Sequence, residues 1–315
     1  MYNHYYLAFD VGGLFINGAV LNSRGEIIPN TESYFPSKSN ADREELLNHF
    51  VHIICRQIGK ILDKYFIIDG IGFAFPGPFD YQKGVSFISG VNKFESLYGV
   101  DLRTELTVRL KQQKLFLQHA SAPFRIVFEN NVDMFALGEW TTGKAKEYDR
   151  VMFITLGNGT GSAFMENGVL IKNREDIPAN GWVYCHPFHD SIVDDYLSMR
   201  GILRIAKQLN VHPGLGLKEI ADAARSGLED EKEVFRRFGE LLGEMLLLFI
   251  KPFQPDALVI GGQICNSHDL FIGEAQKALG NERVAILLSD QTSYRTFVGL
   301  SKAIVLAAKA RIPEV

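Results

Sequence analysis

The sequence has few cysteines, no long apolar run and no excess of basic charge. Its 315 residues include three cysteines, at Cys55, Cys185 and Cys265. That spacing disfavours a disulfide framework and favours a reducing, cytoplasmic setting. No stretch approaches the roughly 20 apolar residues of a membrane helix, and no basic region followed by an apolar one opens the chain, so neither a membrane segment nor a signal peptide is expected. A net charge of −4 argues against a nucleic-acid partner.

The chain is long enough for about two domains, and two of its segments share one plan. Residues 5–28 and 151–171 each run strand, glycine-rich turn, strand, turn, strand. This repetition predicts two α/β domains built alike. Apolar periodicity predicts a helix over about 41–64, with Ser39 or Asn40 as its N-cap, and further helices over about 193–208, 217–226, 231–250 and 297–310.

Both glycine-rich turns can hold an anion. Gly12 and Gly13 follow Asp10, and the later turn is Gly157-Asn158-Gly159-Thr160-Gly161. Glycine allows close approach of another group, and successive N–H groups in such a turn converge on an anion. Asp10 adds a carboxylate that can position Mg²⁺ through water. The alternative interpretation of each turn, taken singly, is an ordinary tight hairpin.

Two familiar nucleotide motifs do not account for these turns. The glycines of 157–161 loosely resemble a dinucleotide fingerprint, but that motif must open a helix, and residues 162–168 have the pattern of a strand and a turn. The Walker motif needs Gly-Lys-Ser/Thr, which follows neither turn. A Rossmann dehydrogenase and a P-loop enzyme are therefore not predicted.

Six segments in order resemble the ROK family of sugar kinases, within the actin-like ATPase and hexokinase superfamily. They are spread along the chain between residue 5 and about residue 265. The segments are Asp10-Val11-Gly12-Gly13, Phe75-Pro76-Gly77-Pro78, Asn92, Glu129-Asn130-Asn131, Thr155-Leu156-Gly157-Asn158-Gly159-Thr160-Gly161 and Pro255-Asp256-Ala257-Leu258-Val259-Ile260-Gly261-Gly262.

The resemblance implies a bilobed α/β protein with the actin-like ATPase (ribonuclease H-like) fold, two duplicated domains and a central cleft. It implies a small domain over residues 1–118, joined by the C-terminal helix 291–315, and a large domain over 119–290. The sugar would lie in the cleft, ATP with Mg²⁺ would span the two phosphate turns, and the protein would be a homodimer. Phosphoryl transfer in such enzymes rests on positioning, metal and one base.

The resemblance also assigns site residues. Sugar contacts fall on Pro76, Gly77, Asn92, Asn130, Asn131 and Trp182, and the catalytic position is that of Asn131. The residues implied in cofactor binding are Asp10, Gly12, Gly13, Gly157, Gly159, Thr160, Gly161, Gly261 and Gly262.

The sequence departs from the family pattern at the reaction centre. Asn131 stands where the family has its catalytic aspartate, and an amide cannot accept a proton as a carboxylate can. Losing a general base costs about 10²–10⁴-fold in rate. Asp133 lies on another helix face and is expected only to complement the helix N-terminus. Leu14 replaces a threonine of the first phosphate motif, and the simplest expectation is that its side chain packs.

The loop 181–190 lacks the family's zinc cluster. Cys185, His186 and His189 fit no standard zinc spacing, so structural zinc is not expected and a polar loop is the simpler interpretation. The family's sugar-binding Glu and His have no clean match here, although Trp182 can stack on a sugar face.

Three functions remain to be weighed. The first is an ATP-dependent kinase of a hexose or N-acetylhexosamine with impaired catalysis. The second is a non-catalytic sugar- or nucleotide-binding regulator without a DNA-binding domain, since the first phosphate motif already begins at Asp10. The third, an actin- or chaperone-like ATPase, is disfavoured by the Pro-Gly-Pro and Glu-Asn segments.

Overall fold

The chain forms two compact units. The computed structural model describes residues 2–90, 92–211 and 214–309. The first unit combines Met1–Thr142 with Ser293–Val315, and the second unit is Gly143–Thr292. Across the described ranges, no helix combines the length and apolar character needed to cross a membrane.

The first unit is built on a twisted mixed sheet. Its strands are β1 (Asn3–Val11), β2 (Phe15–Asn22), β3 (Ser33–Pro36), β4 (Phe66–Phe75), β5 (Phe79–Asp80), β6 (Val85–Ser86) and β7 (Ala120–Asn130). Over the described residues the main sheet has the order β3-β2-β1-β4-β7, while β5 and β6 form a separate small hairpin. β1 and β2 are antiparallel, as are β2 and β3, whereas β1, β4 and β7 are parallel.

A column of phenyl rings joins the three parallel strands. Phe9 lies beside Phe73 in strand register, and Phe73 lies beside Phe128. Their ring centroids are 5.1 Å and 5.3 Å apart. All three side chains are buried. Aromatic pairs at such distances add stabilisation beyond area burial alone, so this column stabilises the pairing of β1, β4 and β7.

The helices of the first unit's N-terminal segment cover this core. They are α1 (Arg43–Ile58), α2 (Leu102–Leu110), α3 (Lys114–His119) and α4 (Asn131–Thr142). α1 begins later than expected because Asp42 is its N-cap, with the side chain accepting from the Glu45 amide at 2.8 Å. The prediction of Ser39 or Asn40 as the cap was therefore wrong. A carboxylate there satisfies an amide that has no partner inside the helix.

The second unit repeats the sheet of the first. Its strands are β8 (Arg150–Leu156), β9 (Thr160–Glu166), β10 (Val169–Ile171), β11 (Pro187–Phe188), β12 (Ser191–Ile192), β13 (Ala257–Gly261) and β14 (Ala285–Leu288). In the part of the unit that is described, the main sheet has the order β10-β9-β8-β13-β14, with the same sequence of antiparallel and parallel pairs. The predicted duplication of an α/β unit is confirmed. One detail differs: the third strand of the first unit is β3, and residues 25–28 contribute only an isolated bridge between Leu21 and Ile27.

The helices of the second unit are α5 (Val193–Tyr196), α6 (Met199–Gln208), α7 (Leu217–Arg225), α8 (Glu229–Phe253) and α9 (Ile272–Leu279). The predicted single helix over 193–208 is interrupted at Leu197 and Ser198, where Ser198 is extended. The interruption frees the Leu197 carbonyl to accept the Thr160 hydroxyl at 2.7 Å. A tertiary hydrogen bond thus outweighs local helix preference.

The last helix, α10 (Thr292–Lys309), returns to the first unit. Phe297 and Leu300 are buried with Ala8, Ala74 and Met134. β7 and α4 also belong to this unit, because β7 pairs with β4. The first unit therefore extends to Thr142, whereas the boundary expected from the sequence was at residue 118.

Candidate functional site

Strand register brings several predicted site residues to one edge of the first sheet. Asp10 pairs with Ala74 near the end of β4, and Phe75 pairs with Asn130 at the end of β7. The carboxyl ends of neighbouring parallel strands are where α/β sheets bind their ligands. Asp10, the turn at Pro76 and Gly77, and the pair Asn130–Asn131 therefore share this edge.

The Asp10 carboxylate is held by two polar side chains. Ser293 of α10 donates its hydroxyl to Asp10 Oδ2 at 3.0 Å, and Asn17 of β2 donates its amide to Ser293 Oγ at 2.9 Å. Burial raises the pKa of Asp10 to about 6, and hydrogen bonding to Ser293 and Asn17 offsets part of that rise. Neither Ser293 nor Asn17 was predicted from the sequence.

The first glycine turn presents amide donors beside Asp10. The Gly12 amide donates to the Phe15 carbonyl at 2.9 Å, and the Gly13 carbonyl accepts from Ser39 Oγ at 2.7 Å. Within the described residues, the amides of Gly13 and Leu14 donate to no protein group. A pocket of about 370 Å³ opens at this turn, lined in part by Ser37, Lys38 and Asn40.

Leu14 does not pack as expected. Its side chain is 57% exposed, at the rim of that pocket. The backbone of the turn is held by two hydrogen bonds: the Gly12 amide donates to the Phe15 carbonyl, and the Leu14 carbonyl accepts from the Ser37 amide at 2.9 Å. The expectation of a packed Leu14 was wrong.

Asn130 and Asn131 begin α4. Asn130 Oδ1 accepts from the amides of Val132 at 2.9 Å and Asp133 at 3.3 Å, which is an N-cap arrangement. Asn131 is the first helical residue, and its Oδ1 lies 3.0 Å from the Val132 amide. Asp133 is buried in the first turn. Asn130 thus has a structural role that the sequence did not reveal, while Asn131 remains half-buried at the strand edge.

The Pro-Gly-Pro turn is tied to the same helix start. The Gly77–Pro78 peptide is cis. Tyr81 donates its hydroxyl to the Phe75 carbonyl at 3.0 Å and accepts from the Asn130 amide at 3.1 Å. Asn92 lies elsewhere, on an exposed loop with a left-handed φ of 53°, and its amide donates to Glu95.

The second glycine turn is oriented by a carboxylate. The Gly157 amide donates to the Gly159 carbonyl at 3.1 Å, and the Thr160 amide donates to Asp194 Oδ1 at 2.6 Å. Over the described ranges, the amides of Asn158 and Gly159 donate to no protein group. This pair of unpaired amides matches the pair in the first turn.

Gly261 and Gly262 lie at the neighbouring strand end. Gly261 pairs with Thr155 of β8, and Gly262 has a φ of 92°. A Cβ at Gly262 would lie 2.3 Å from the Leu156 carbonyl oxygen. Glycine is therefore required here for the chain to turn against β8, and this places the 261–262 segment beside the second glycine turn.

The loop 181–190 does not bring its cysteine and histidines to a common point. The His186 ring packs on Phe249 at 5.1 Å between centroids, and His189 Nε2 is 3.2 Å from Glu244. The Trp182 ring is 6.0 Å from that of Tyr184. Among the described residues, no group of three or more His, Cys, Asp or Glu side chains is arranged to hold a metal ion.

The donor groups of both turns suit phosphate oxygens. Two successive unpaired amides form a small positive concavity at each turn. Mg²⁺ in nucleotide sites is held by one or two carboxylates together with phosphate oxygens and water, and Asp10 beside the first turn is a carboxylate of that kind. Each turn by itself therefore fits a phosphate group, and Asp10 beside the first turn is a carboxylate that can position a metal ion.

The sequence did not identify two residues that hydrogen-bond to groups of the site. Asp194 follows the glycine turn by 34 residues, and Ser293 follows Asp10 by 283 residues. A carboxylate at the start of a short helix is common and identifies nothing by itself. Only the folded chain shows which amide it accepts from.

Comparison with known proteins gives the same family over most of the chain. The ROK family model matches residues 6–289. The chain is 26% identical to an N-acetyl-D-glucosamine kinase of Haemophilus influenzae, over 84% of this chain and 86% of the relative. It is 22% identical to the xylose repressor of Bacillus subtilis, over 88% of this chain and 69% of the repressor.

Solved structures agree on the fold. A ROK family glucokinase from Streptomyces griseus, in complex with glucose and AMPPNP, superposes with a TM-score of 0.73 at 21% identity, covering 95% of this chain and 98% of the glucokinase. With the duplicated sheets and the family match over residues 6–289, the chain belongs to the ROK family and has the α/β actin-like ATPase fold of its sugar kinases.

Proposed function

We propose that this protein is an ATP-dependent carbohydrate kinase in which phosphoryl transfer is slow. The observation that carries the proposal is Asn131, which opens α4 at the strand edge shared with Asp10. Similarity to N-acetyl-D-glucosamine kinases and glucokinases supports phosphoryl transfer to a hexose or N-acetylhexosamine.

ATP and Mg²⁺ are the proposed cofactors. The unpaired amides at Gly13 and Leu14, and those at Asn158 and Gly159, would donate to phosphate oxygens. Asp10 would hold the metal through water, with Ser293 keeping the carboxylate in place. A metal ion held by Asp10 would supply positive charge that neutralises the charge developing on the transferred phosphoryl group.

The slow rate follows from the chemistry of an amide. A carboxylate at position 131 would accept the proton of the attacking sugar hydroxyl, whereas the Asn131 side chain can only orient that hydroxyl by hydrogen bonding. Positioning and metal would still contribute, since phosphoryl transfer depends mainly on those two effects. Activity is therefore reduced rather than abolished.

The test is a coupled ADP-release assay with glucose, N-acetylglucosamine and N-acetylmannosamine, on the wild type and Asn131→Asp. We expect wild-type turnover well below the roughly 1–100 per second of ordinary kinases, and an increase of about 10²–10⁴-fold in Asn131→Asp. A carboxylate at the first position of a helix is also electrostatically favourable, so the variant should fold.

Asn167→Asp is the matched control. Asn167 lies in the β9–β10 turn, where its φ is 50°, and aspartate tolerates that conformation. It should leave the rate unchanged. Ordinary turnover in the wild type would contradict impaired catalysis. If neither form turns over any sugar while both bind sugar and ATP by calorimetry, the protein is instead a non-catalytic binder.

A further inference from the structure

A second pocket lies wholly within the second unit. It has a volume of about 460 Å³ and lies between α6, α8 and the turn that joins β11 to β12. Its lining includes none of the glycine-turn residues and neither Gly261 nor Gly262. Ile205 and Leu241 give it an apolar portion, and the remaining lining is rich in planar polar side chains.

The carboxylates of this pocket already have partners. Glu244 Oε2 lies 3.2 Å from His189 Nε2, Asp190 accepts the Tyr196 hydroxyl, and Glu240 accepts from Arg236. The Tyr196 hydrogen bond is the main cause of a lowered pKa at Asp190. These oxygens retain lone pairs that can accept further hydrogen bonds.

One guanidinium of the pocket has no hydrogen-bond acceptor in the part of the chain that the structure describes. The Arg204 guanidinium stacks on the Tyr196 ring, with its central carbon 3.9 Å from the ring centroid. Within the described ranges, Arg204 has no close ion pair and donates no hydrogen bond to the protein, in contrast to Arg237, which pairs with Glu233. The Arg204 charge acts on Asp190 only over a longer distance, where it contributes to the lowered pKa of that carboxyl. Gln208 follows one turn later on the same face of α6 and also lines the pocket.

Stacking leaves the donor edge of Arg204 available. A guanidinium held flat on an aromatic ring presents a pre-organised fork of N–H groups that matches phosphate or carboxylate oxygens. A small inorganic anion is disfavoured, because it would leave the acceptors Glu240 and Glu244 and the apolar part of the pocket without a partner. A neutral sugar would satisfy those carboxylates but would leave the Arg204 N–H fork without a charged acceptor.

We propose that this pocket binds a sugar that carries one anionic group, a phosphate or a carboxylate. The anionic group pairs with Arg204 and Gln208, and the sugar hydroxyls donate to Glu240 and Glu244. The ring packs against Ile205 and Leu241. This assignment does not depend on whether the protein is a kinase, because it rests on residues of α5, α6 and α8 and on none of the glycine-turn residues.

Isothermal calorimetry on the full chain tests the proposal with glucose 6-phosphate, glucuronate, glucose and inorganic phosphate. We expect glucose 6-phosphate, glucuronate or both to bind in a way that depends on Arg204, which identifies phosphate or carboxylate as the anionic group. Arg204→Gln should weaken that component at least tenfold, as expected for loss of a charge-assisted hydrogen bond. Lys207→Gln is the control, since Lys207 is an exposed cation on the same helix outside the pocket.

Gln208→Glu provides a second variant that keeps the stack of Arg204 on Tyr196. It places a carboxylate beside the proposed anion and should also weaken binding at least tenfold. Unchanged affinity for both anionic sugars in Arg204→Gln and Gln208→Glu would overturn the proposal, provided that thermal unfolding shows both variants folded. Arg204-dependent binding of glucose, or of inorganic phosphate alone, would equally overturn it.

Discussion

The buried surroundings of Asp10 disfavour the negative charge of its carboxylate. Burial raises its pKa from 3.8 to about 6, so the native state holds a proton on this carboxyl more tightly than the unfolded chain does. The contribution of Asp10 to the free energy of unfolding is therefore fully present below about pH 4. This contribution is lost as the pH rises from about 4 to about 6, and above that pH the free energy of unfolding no longer changes because of Asp10.

Replacing Asp10 should reveal this cost. Asp10→Asn cannot ionise, so its free energy of unfolding should match the wild type near pH 4 and exceed it by about 2–3 kcal/mol at pH 7. Urea denaturation at the two pH values measures the difference. Asp269→Asn is the opposing control, because Arg225 lowers the pKa of Asp269 and its loss should destabilise the protein at pH 7. An Asp10→Asn variant that is less stable than wild type at pH 7 would contradict the argument.

The residues of the candidate site differ in whether the sequence alone could identify them. Asp10, Asn131 and the glycines lie next to strand ends, so their local sequence pointed to them. Asp194 and Ser293 act on groups far away in the chain, and Asn130 acts as a cap rather than as a free amide. A local sequence pattern identifies residues that lie within a motif. It cannot identify residues that hydrogen-bond to a motif from a distant part of the chain.

At the scale of elements, α4 and α10 approach closely because glycine replaces a side chain at both contacts. A Cβ at Gly138 would lie 1.8 Å from the Arg295 carbonyl oxygen, and one at Gly299 would lie 2.0 Å from that of Met134. The close approach lets α10 bury Phe297 and Leu300. The position of Asp10's partner Ser293, at the start of α10, depends on this packing.

Two leucines of α10 differ in burial, so replacing each by alanine distinguishes the effect of packing from that of helix propensity. Leu300 is fully buried, whereas Leu306 is 62% exposed. Leu300→Ala should lower the free energy of unfolding by about 2–5 kcal/mol, because a buried leucine leaves a cavity. Leu306→Ala should change it by less than about 0.5 kcal/mol. Thermal or urea unfolding measures both, and equal effects would argue against the packing of α10 described above.

Helix limits were the least predictable feature of the elements. Apolar periodicity located α1, α7, α8 and α10, yet the cap of α1 is Asp42 and the helix over 193–208 is interrupted. Both differences arise from hydrogen bonds to particular partners: the Glu45 amide in one case and the Thr160 hydroxyl in the other. Periodicity reports which face is buried, and it carries no information on such partners.

The whole molecule consists of one continuous unit and one discontinuous unit. Gly143–Thr292 contains its own sheet and its own buried core. The first unit is complete only when Ser293–Val315 joins Met1–Thr142, since α10 covers the strand residues Ala8 and Ala74.

Fragments should reflect this difference. Residues 143–292 alone should fold and show a cooperative urea transition by circular dichroism. Residues 1–142 alone should not, because removing α10 exposes apolar surface that the remaining chain cannot cover. Addition of a 293–315 peptide should restore a transition to 1–142. A cooperative transition of 1–142 without that peptide would show that α10 is dispensable.

The amino-acid pattern alone determined the fold class, the duplication, the two glycine turns and the substitution at Asn131, because each is written in short, contiguous segments with strand or turn periodicity. Folding decided the rest: the partners of Asp10 and Thr160, the outward position of Leu14, and the stacking of Arg204 on Tyr196. Those features join residues that are distant in the chain, and no local pattern specifies which distant groups will meet.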